Sequence, residues 1–250
     1  MESKRDKLYS YILQQKNLRK KMIAVLLDPD KYTGSEQVPY REIGKAQPDF
    51  IFVGGSGINH SIEDFVLALK QHVDIPVVLF PGDVQQFTPH ADGLLLLSLI
   101  SGRNPDLLIG QHVKAACAIA TSGVEVLPTG YILVDGGKQS SVERVSQTQP
   151  LSEDNPHAIL STALAGQLLG MKLVYLEAGS GAAHAISAAT VQTVSEGLSI
   201  PLIVGGGIRS IQQIDAALQA GANLVVIGNH FEAHPEDILP FTAYIHQWKP

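Results

Sequence analysis

Cysteine is almost absent. The single thiol, Cys117, leaves no internal disulfide framework and points to a reducing compartment. It lies in the string Val113-Lys-Ala-Ala-Cys-Ala-Ile-Ala120 and reads as a buried helix residue rather than a nucleophile. A basic excess is missing too. The formal net charge is −6, the isoelectric point is near 5.8, and the Lys and Arg residues are scattered, which excludes a nucleic-acid-binding stripe. An anionic ligand must then be held by local dipoles, a metal or a few cations. The longest apolar run, residues 94–100, is strand-sized, so no integral membrane segment is expected. Residues 1–7 carry charges of both signs and no apolar segment follows before Lys16, unlike a secretory signal; a cytoplasmic protein is expected. The histidines lack the tight spacing of a metal set.

What is present is a regular alternation. Short apolar runs rich in β-branched residues predict strands over 22–27, 50–53, 76–80, 93–97, 131–134, 173–177, 201–204 and 224–227. Helical patterns predict 41–46, 62–72, 105–120, 156–169, 185–196, 211–220 and 235–248, with an extra amphipathic helix at 6–15 before the first strand. Such βα units force right-handed crossovers and a parallel sheet, and their number lets the sheet close into a (β/α)8 TIM barrel spanning residues 1–250 as one domain. The third crossover is too short and too broken by Pro81, Gly82 and Pro89 for a full helix. Its reduction either opens a groove in the helical ring or leaves a gap that a loop covers. The polar stretch 135–153 exceeds an ordinary βα loop and reads either as a mobile lid over the barrel mouth or as a merely solvated loop.

Active sites of such barrels lie at the C-terminal strand ends. The last two strands run into Gly205-Gly206-Gly207 and Gly228-Asn229, turns whose backbone N–H groups can cradle a phosphate, with Ser210 placed to open the next helix. The first strand ends in Asp28-Pro29-Asp30-Lys31 and the second in Gly54-Gly55-Ser56. Asp28 and Ser56, from neighbouring strands, suit a hard cation such as Mg2+. The sixth strand ends in Tyr175-Leu176-Glu177-Ala178-Gly179-Ser180-Gly181. Glu177 is the candidate general base, its alternative being an ion pair with Lys172 or Arg209.

Taken together, these strings resemble geranylgeranylglyceryl phosphate synthases over essentially the whole chain, the reduced third crossover included. The resemblance implies a prenyltransferase that joins an isoprenoid diphosphate of geranylgeranyl type to the 3-hydroxyl of sn-glycerol 1-phosphate, releasing diphosphate. It implies Mg2+ at Asp28 and Ser56. Glycerol phosphate would be held by Tyr175, Leu176, Glu177, Ala178, Gly179, Ser180 and Gly181, by Gly205 and Gly206, and by Gly228 and Asn229. Glu177 would be the base, and the groove would seat the prenyl chain. Two other readings stay open on residues alone: a phosphate-binding isomerase or cyclase of amino-acid biosynthesis using Asp28 and Asp135, and a non-catalytic flavin- or phosphate-binding scaffold. Prenyl chain length, the lipid product and assembly into a homo-oligomer are not set by the sequence.

Overall fold

The computed structural model describes residues 7–32, 38–55 and 60–249. Parallel strands β1 (Met22–Leu27), β2 (Phe50–Val53), β3 (Val77–Leu79), β4 (Gly93–Leu99), β5 (Glu125–Leu133), β6 (Leu173–Glu177), β7 (Leu202–Gly205) and β8 (Leu224–Ile227) pair in chain order. The sheet closes through β8 against β1, as the alternation predicts. Each strand has two apolar faces because both are covered. Met22, Ala24, Phe50, Phe52, Val78, Leu95, Tyr131, Tyr175, Ile203 and Val226 fill the barrel interior. Their neighbours Ile23, Val25, Ile51, Val77, Leu176 and Val225 pack in the layer shared with the helices.

Those helices are α1 (Lys7–Asn17), α2 (Tyr40–Ala46), α3 (Ile62–His72), α4 (Gln111–Ser122), α5 (Ser141–Ser146), α6 (Pro156–Leu168), α7 (Ala188–Gly197), α8 (Ile211–Gln219), α9 (Asn229–Ala233) and α10 (Ile238–Gln247). The third crossover is a single 3-10 turn, Val84–Gln86, as its length and prolines demand. Gln86, nearly buried, fastens it by donating to Gly55 O at 2.9 Å and accepting from Gly82 N–H at 3.0 Å.

Several boundaries differ from the expectations. β5 starts at Glu125 rather than 131. Pro128 and Gly130 read as breakers, but β4 supplies a continuous register from Gly93↔Glu125 to Leu99↔Tyr131 that overrides them. The helix expected over 105–120 begins with a π turn, Asp106–Gly110, and α4 then runs on to Ser122. Cys117 is exposed, not buried: α4 lies over a cavity, turning Ala115 and Ile119 inward and Cys117 outward. The polar stretch 135–153 contains α5, capped by Ser140, and is tied back by Asp135 N–H to Leu151 O and Leu151 N–H to Leu133 O, both 2.9 Å. No described helix is long and apolar enough to cross a membrane.

The predicted N-terminal helix, α1, closes the opposite end of the barrel. Leu8 and Ile12 enter the interior cluster. The first N–H groups of a helix lack intrahelical partners. Here the buried Glu125 carboxylate supplies them, accepting from Leu8 N at 2.7 Å and Tyr9 N at 2.8 Å, one oxygen to each. Replacing Glu125 by Ala therefore lowers stability by about 2 kcal/mol, from two orphaned donors at a negatively capped helix start. The melting temperature falls by roughly 4–8 °C for a chain of this size. Calorimetry checks this; an unchanged melting temperature would show that α1 docks without the carboxylate.

Candidate active site

The two-residue period of the strands carries through their ends. Continuing the inward-facing set one step past or up to each C-terminus gives Asp28 after β1, Gly54 after β2, Phe80 after β3, Glu177 on β6 and Gly228 after β8. These residues line one cavity of about 260 Å3. It extends from the glycine turns past Phe80 and Tyr131 to an apolar part walled by Leu96, Leu99, Leu107 and Ile119. The reduced third crossover contributes Val84 and Phe87 to the wall.

Glu177 is 6% exposed and lines this cavity. Burial pushes its carboxyl up to about 7, against the opposing pull of Gly179 N–H and the Tyr175 and Tyr131 hydroxyls. Gly179 N–H donates to Oε1 at 2.7 Å. The Tyr175 hydroxyl faces the carboxylate but misses regular hydrogen-bond geometry and has no other partner. Burial and the nearby carboxylate hold both tyrosines well above their ordinary pKa. Their rings, 5.4 Å apart, form an aromatic cluster with Phe80, at 5.9 Å from Tyr131 and 5.3 Å from Tyr175. Among the described residues Glu177 forms no ion pair with either side chain offered as its alternative partner. Lys172 precedes the far end of β6, and the Arg209 guanidinium donates to the Ala182 and Ala183 carbonyls, holding the turn after β6.

Three loops meet beside Glu177. The Ser180 hydroxyl donates to Asn229 Oδ1 at 3.0 Å, joining the β6 and β8 loops. Gly206, at φ +83°, lies so close that a Cβ there would stand 2.4 Å from Glu177 Oε1. Ser210 caps α8 as expected, accepting from Gln213 N–H at 3.3 Å. Tyr175, Glu177, Gly179, Ser180, Gly181, Gly206, Gly228 and Asn229 all border the cavity. Leu176 and Ala178 do not: both pack into the layer beneath the helices. Gly205 pairs in register with Glu177 and its carbonyl accepts from Ala178 N–H at 3.0 Å.

Across the cavity, Asp28 accepts from Asp30 N–H at 3.1 Å and caps a 3-10 turn, Pro29–Lys31. Burial pushes its carboxyl above the usual range, against the opposing pull of the Asp30 N–H. Gly55 faces it without a side chain; a Cβ there would lie 2.7 Å from the carboxyl. Ser56 lies outside the described residues. Asp135 is exposed, accepts from Gly137 N–H at 2.8 Å, and is not among the residues lining the cavity, so no Asp28–Asp135 acid/base pair faces it.

Comparison with known proteins matches residues 15–243 to the PcrB family. The chain belongs to that family. The geranylgeranylglyceryl phosphate synthase of Zunongwangia profunda is 49% identical over 227 residues, 90% of this chain and 97% of that protein. The one of Flavobacterium johnsoniae is 46% identical over 228 residues, 90% and 93% of the two chains. Among solved structures, (S)-3-O-geranylgeranylglyceryl phosphate synthase from Thermoplasma acidophilum, in complex with substrate sn-glycerol-1-phosphate, superposes with a TM-score of 0.88. It has 32% identity and covers 96% of this chain and 98% of that one.

In this PcrB-family site, sequence reading missed Phe80, Tyr131 and His230. Phe80 and Tyr131 look like ordinary strand residues until the β5–β6 register sets Tyr131 opposite Tyr175. His230 lies in the unforeseen α9, its Nε2 donating to the Asp237 carboxylate at 2.7 Å, and stacks on Phe241.

The raised Glu177 pKa has a measurable consequence for stability. The unfolded chain ionises near 4.5 and the folded one near 7. Folding is thus unpenalised below pH 4.5, loses stability as the pH rises between the two values, and carries the full loss above 7. Glu177→Gln removes the charge but keeps the shape. The variant should melt higher than wild type at pH 8, by at most about 3 kcal/mol of stability, and the difference should vanish below pH 4.5. A variant that melts lower at pH 8 would mean that the carboxylate is held by partners stronger than its burial.

Proposed function

We propose that this chain is a prenyltransferase that forms the ether bond between an isoprenoid diphosphate, of geranylgeranyl type, and the 3-hydroxyl of sn-glycerol 1-phosphate. The observation that carries the reading is the juxtaposition, in one cavity, of a buried carboxylate of raised pKa, glycine turns from β6, β7 and β8, and an apolar groove too greasy for a sugar or amino-acid intermediate. The Ser180–Asn229 contact and the backbone of Gly179, Gly181, Gly206 and Gly228 suit an acceptor phosphate. That phosphate anchors the acceptor with a hydroxyl towards Glu177. The groove beside α4 excludes water from the donor chain.

The residues at the far side of the cavity fit a hard divalent cation. Among the described residues no group of three or more His, Cys, Asp or Glu side chains could enclose a metal. Mg2+, however, commonly takes one or two carboxylates and fills its shell with water and substrate phosphate. Asp28, half-buried with the bare backbone of Gly55 against it, is such a carboxylate, and Ser56 follows Gly55 directly. Mg2+ bound there would neutralise the diphosphate leaving group.

The chemistry then needs one proton moved. The acceptor oxygen bonds to the allylic carbon as the carbon–oxygen bond to diphosphate breaks, the electron pair leaving with diphosphate and the hydroxyl proton passing to Glu177. A carboxyl near pH 7 is matched to that task. The rings of Phe80, Tyr131 and Tyr175 present π-faces where positive charge develops on the allyl group. The pH profile of transfer should rise through about 7 as Glu177 ionises.

The deciding experiment incubates radiolabelled sn-glycerol 1-phosphate with a panel of prenyl diphosphates and Mg2+; organic-extractable product is expected, and its absence with every donor would sink the reading. Glu177→Gln should slow transfer by roughly 10²–10⁴, the range for loss of a general base, while acceptor binding changes far less and slow hydrolysis of the donor persists. Near-normal turnover in that variant removes Glu177 as base. Asp28→Ala should abolish the Mg2+ dependence of donor binding in calorimetry and leave glycerol phosphate binding intact; undiminished Mg2+ dependence takes Asp28 out of the cation site.

A further inference from the structure

Gly179, Ser180 and Gly181 reach the cavity on a loop whose glycines sit at φ +99° and +78°, a conformation that leaves the backbone many other shapes to take. Its neighbours hold it. On one side Gly136 O, after β5, accepts from Ala183 N–H at 2.8 Å and from His184 N–H at 3.3 Å. On the other side Arg209, after β7, donates from one terminal nitrogen to Ala183 O at 3.2 Å and from the other to Ala182 O. The N–H groups of this stretch are thus gripped from β5 and its carbonyls from β7. Arg209 is itself anchored, since its backbone N–H donates to Gln213 Oε1 in α8 at 2.7 Å and the residue before it, Ile208, is buried. Arg209 also borders the cavity, where the carboxylates Asp28, Asp83, Glu177 and Glu232 outnumber the cations Lys31 and Arg209. A basic residue there would ordinarily be read as the counter-charge of a phosphate. Both of its terminal nitrogens, however, are engaged on carbonyls.

We propose that Arg209 is a positioning residue for the acceptor: its planar fork holds the β6 loop in the shape that brings Gly179 N–H to Glu177 and Ser180 to Asn229, and acceptor affinity depends on that shape. The identity of the acceptor rests on the prenyltransferase reading; the effect on phosphate binding is measured without a donor. A guanidinium that spans two successive carbonyls fixes their spacing and direction, whereas an ammonium of the same charge offers a single point. A loop released from the fork must be ordered again each time phosphate binds, which lowers affinity. The base is affected as well. Gly179 N–H opposes the rise that burial imposes on the Glu177 carboxyl, so a loosened loop leaves that carboxyl protonated to higher pH. Tyr131 on β5 and Tyr175 on β6, whose hydroxyls also act on Glu177, lie outside the fork's reach.

Calorimetry of the full chain with sn-glycerol 1-phosphate and with inorganic phosphate, in the absence of donor, tests this. Arg209→Lys keeps the charge and loses the fork. It should weaken both ligands by about tenfold, nearly as much as Arg209→Gln does. Arg209 is exposed, so both variants should fold and melt close to wild type. In steady-state kinetics the loss should appear in the acceptor KM while the donor KM stays unchanged. The pH midpoint of transfer should rise above that of wild type in Arg209→Lys, although the charge is retained. Wild-type affinity in Arg209→Lys with loss in Arg209→Gln overturns the proposal, because charge alone then suffices. Unchanged affinity in both variants overturns it too, as does an equal weakening of donor and acceptor or a wild-type chain that binds neither phosphate ligand. The two readings fail separately: transfer by wild type with phosphate binding unchanged in Arg209→Lys overturns the positioning role alone. Phosphate binding that Arg209→Lys weakens, in a chain that transfers no prenyl group, supports the positioning role while overturning the enzyme assignment.

Discussion

Closure of the sheet imposes the constraint on which everything else hangs. Once eight parallel strands form a ring, a side chain has two options, the interior or the layer beneath the helices, and the choice alternates along each strand. Leu173, Tyr175 and Glu177 face in; Val174 and Leu176 face out. A carboxylate two residues beyond an inward tyrosine is thereby delivered to the mouth with no freedom to point elsewhere. The same parity brings Asp28, Phe80 and Gly228 to the same space from three other strands. The site is a by-product of apolar packing, which is why it can be rigid without many hydrogen bonds of its own.

Rigidity of that kind lets the interior set the electrostatics. The floor beneath Glu177 is aromatic rather than polar, so its charge is poorly solvated, and among the described residues only Gly179 N–H offers it a regular hydrogen bond. A surface glutamate two turns away would ionise fully at neutral pH and hold no proton to exchange. The glycine at 206 belongs to the same arrangement, since any side chain there would occupy the space against the carboxylate. Basicity and access at the site are set by what was left out as much as by what was put in.

Much of this was legible in the chain. The β1, β2, β6 and β8 limits follow from apolar runs bounded by turn residues, and the α3 limits from its helical pattern, which the structure caps with the Ser61 hydroxyl accepting from Asp64 N–H. The short third crossover announces itself through Pro81, Gly82 and Pro89. Other features needed tertiary context. The early start of β5 is imposed by β4, because Pro128 and Gly130 argue against a strand locally. The exposure of Cys117 escaped because an apolar helix was read as buried, whereas α4 covers a groove instead of a packed core. Glu177 and its glycine partners stood out as a string, while Tyr131 and Phe80 carry no local mark. Only the register between strands places them.

The N-terminal helix carries an implication for how the chain is made. α1 precedes every strand of the barrel, yet the carboxylate that receives its first N–H groups lies 117 residues beyond Leu8. Until β5 has emerged and the barrel floor exists, Leu8 and Ile12 have nothing to enter. An element that precedes the whole sheet is thus among the last to settle, and the nascent chain carries an amphipathic segment without its seat until β5 has emerged. Cellular factors that shield apolar helices have their longest opportunity there.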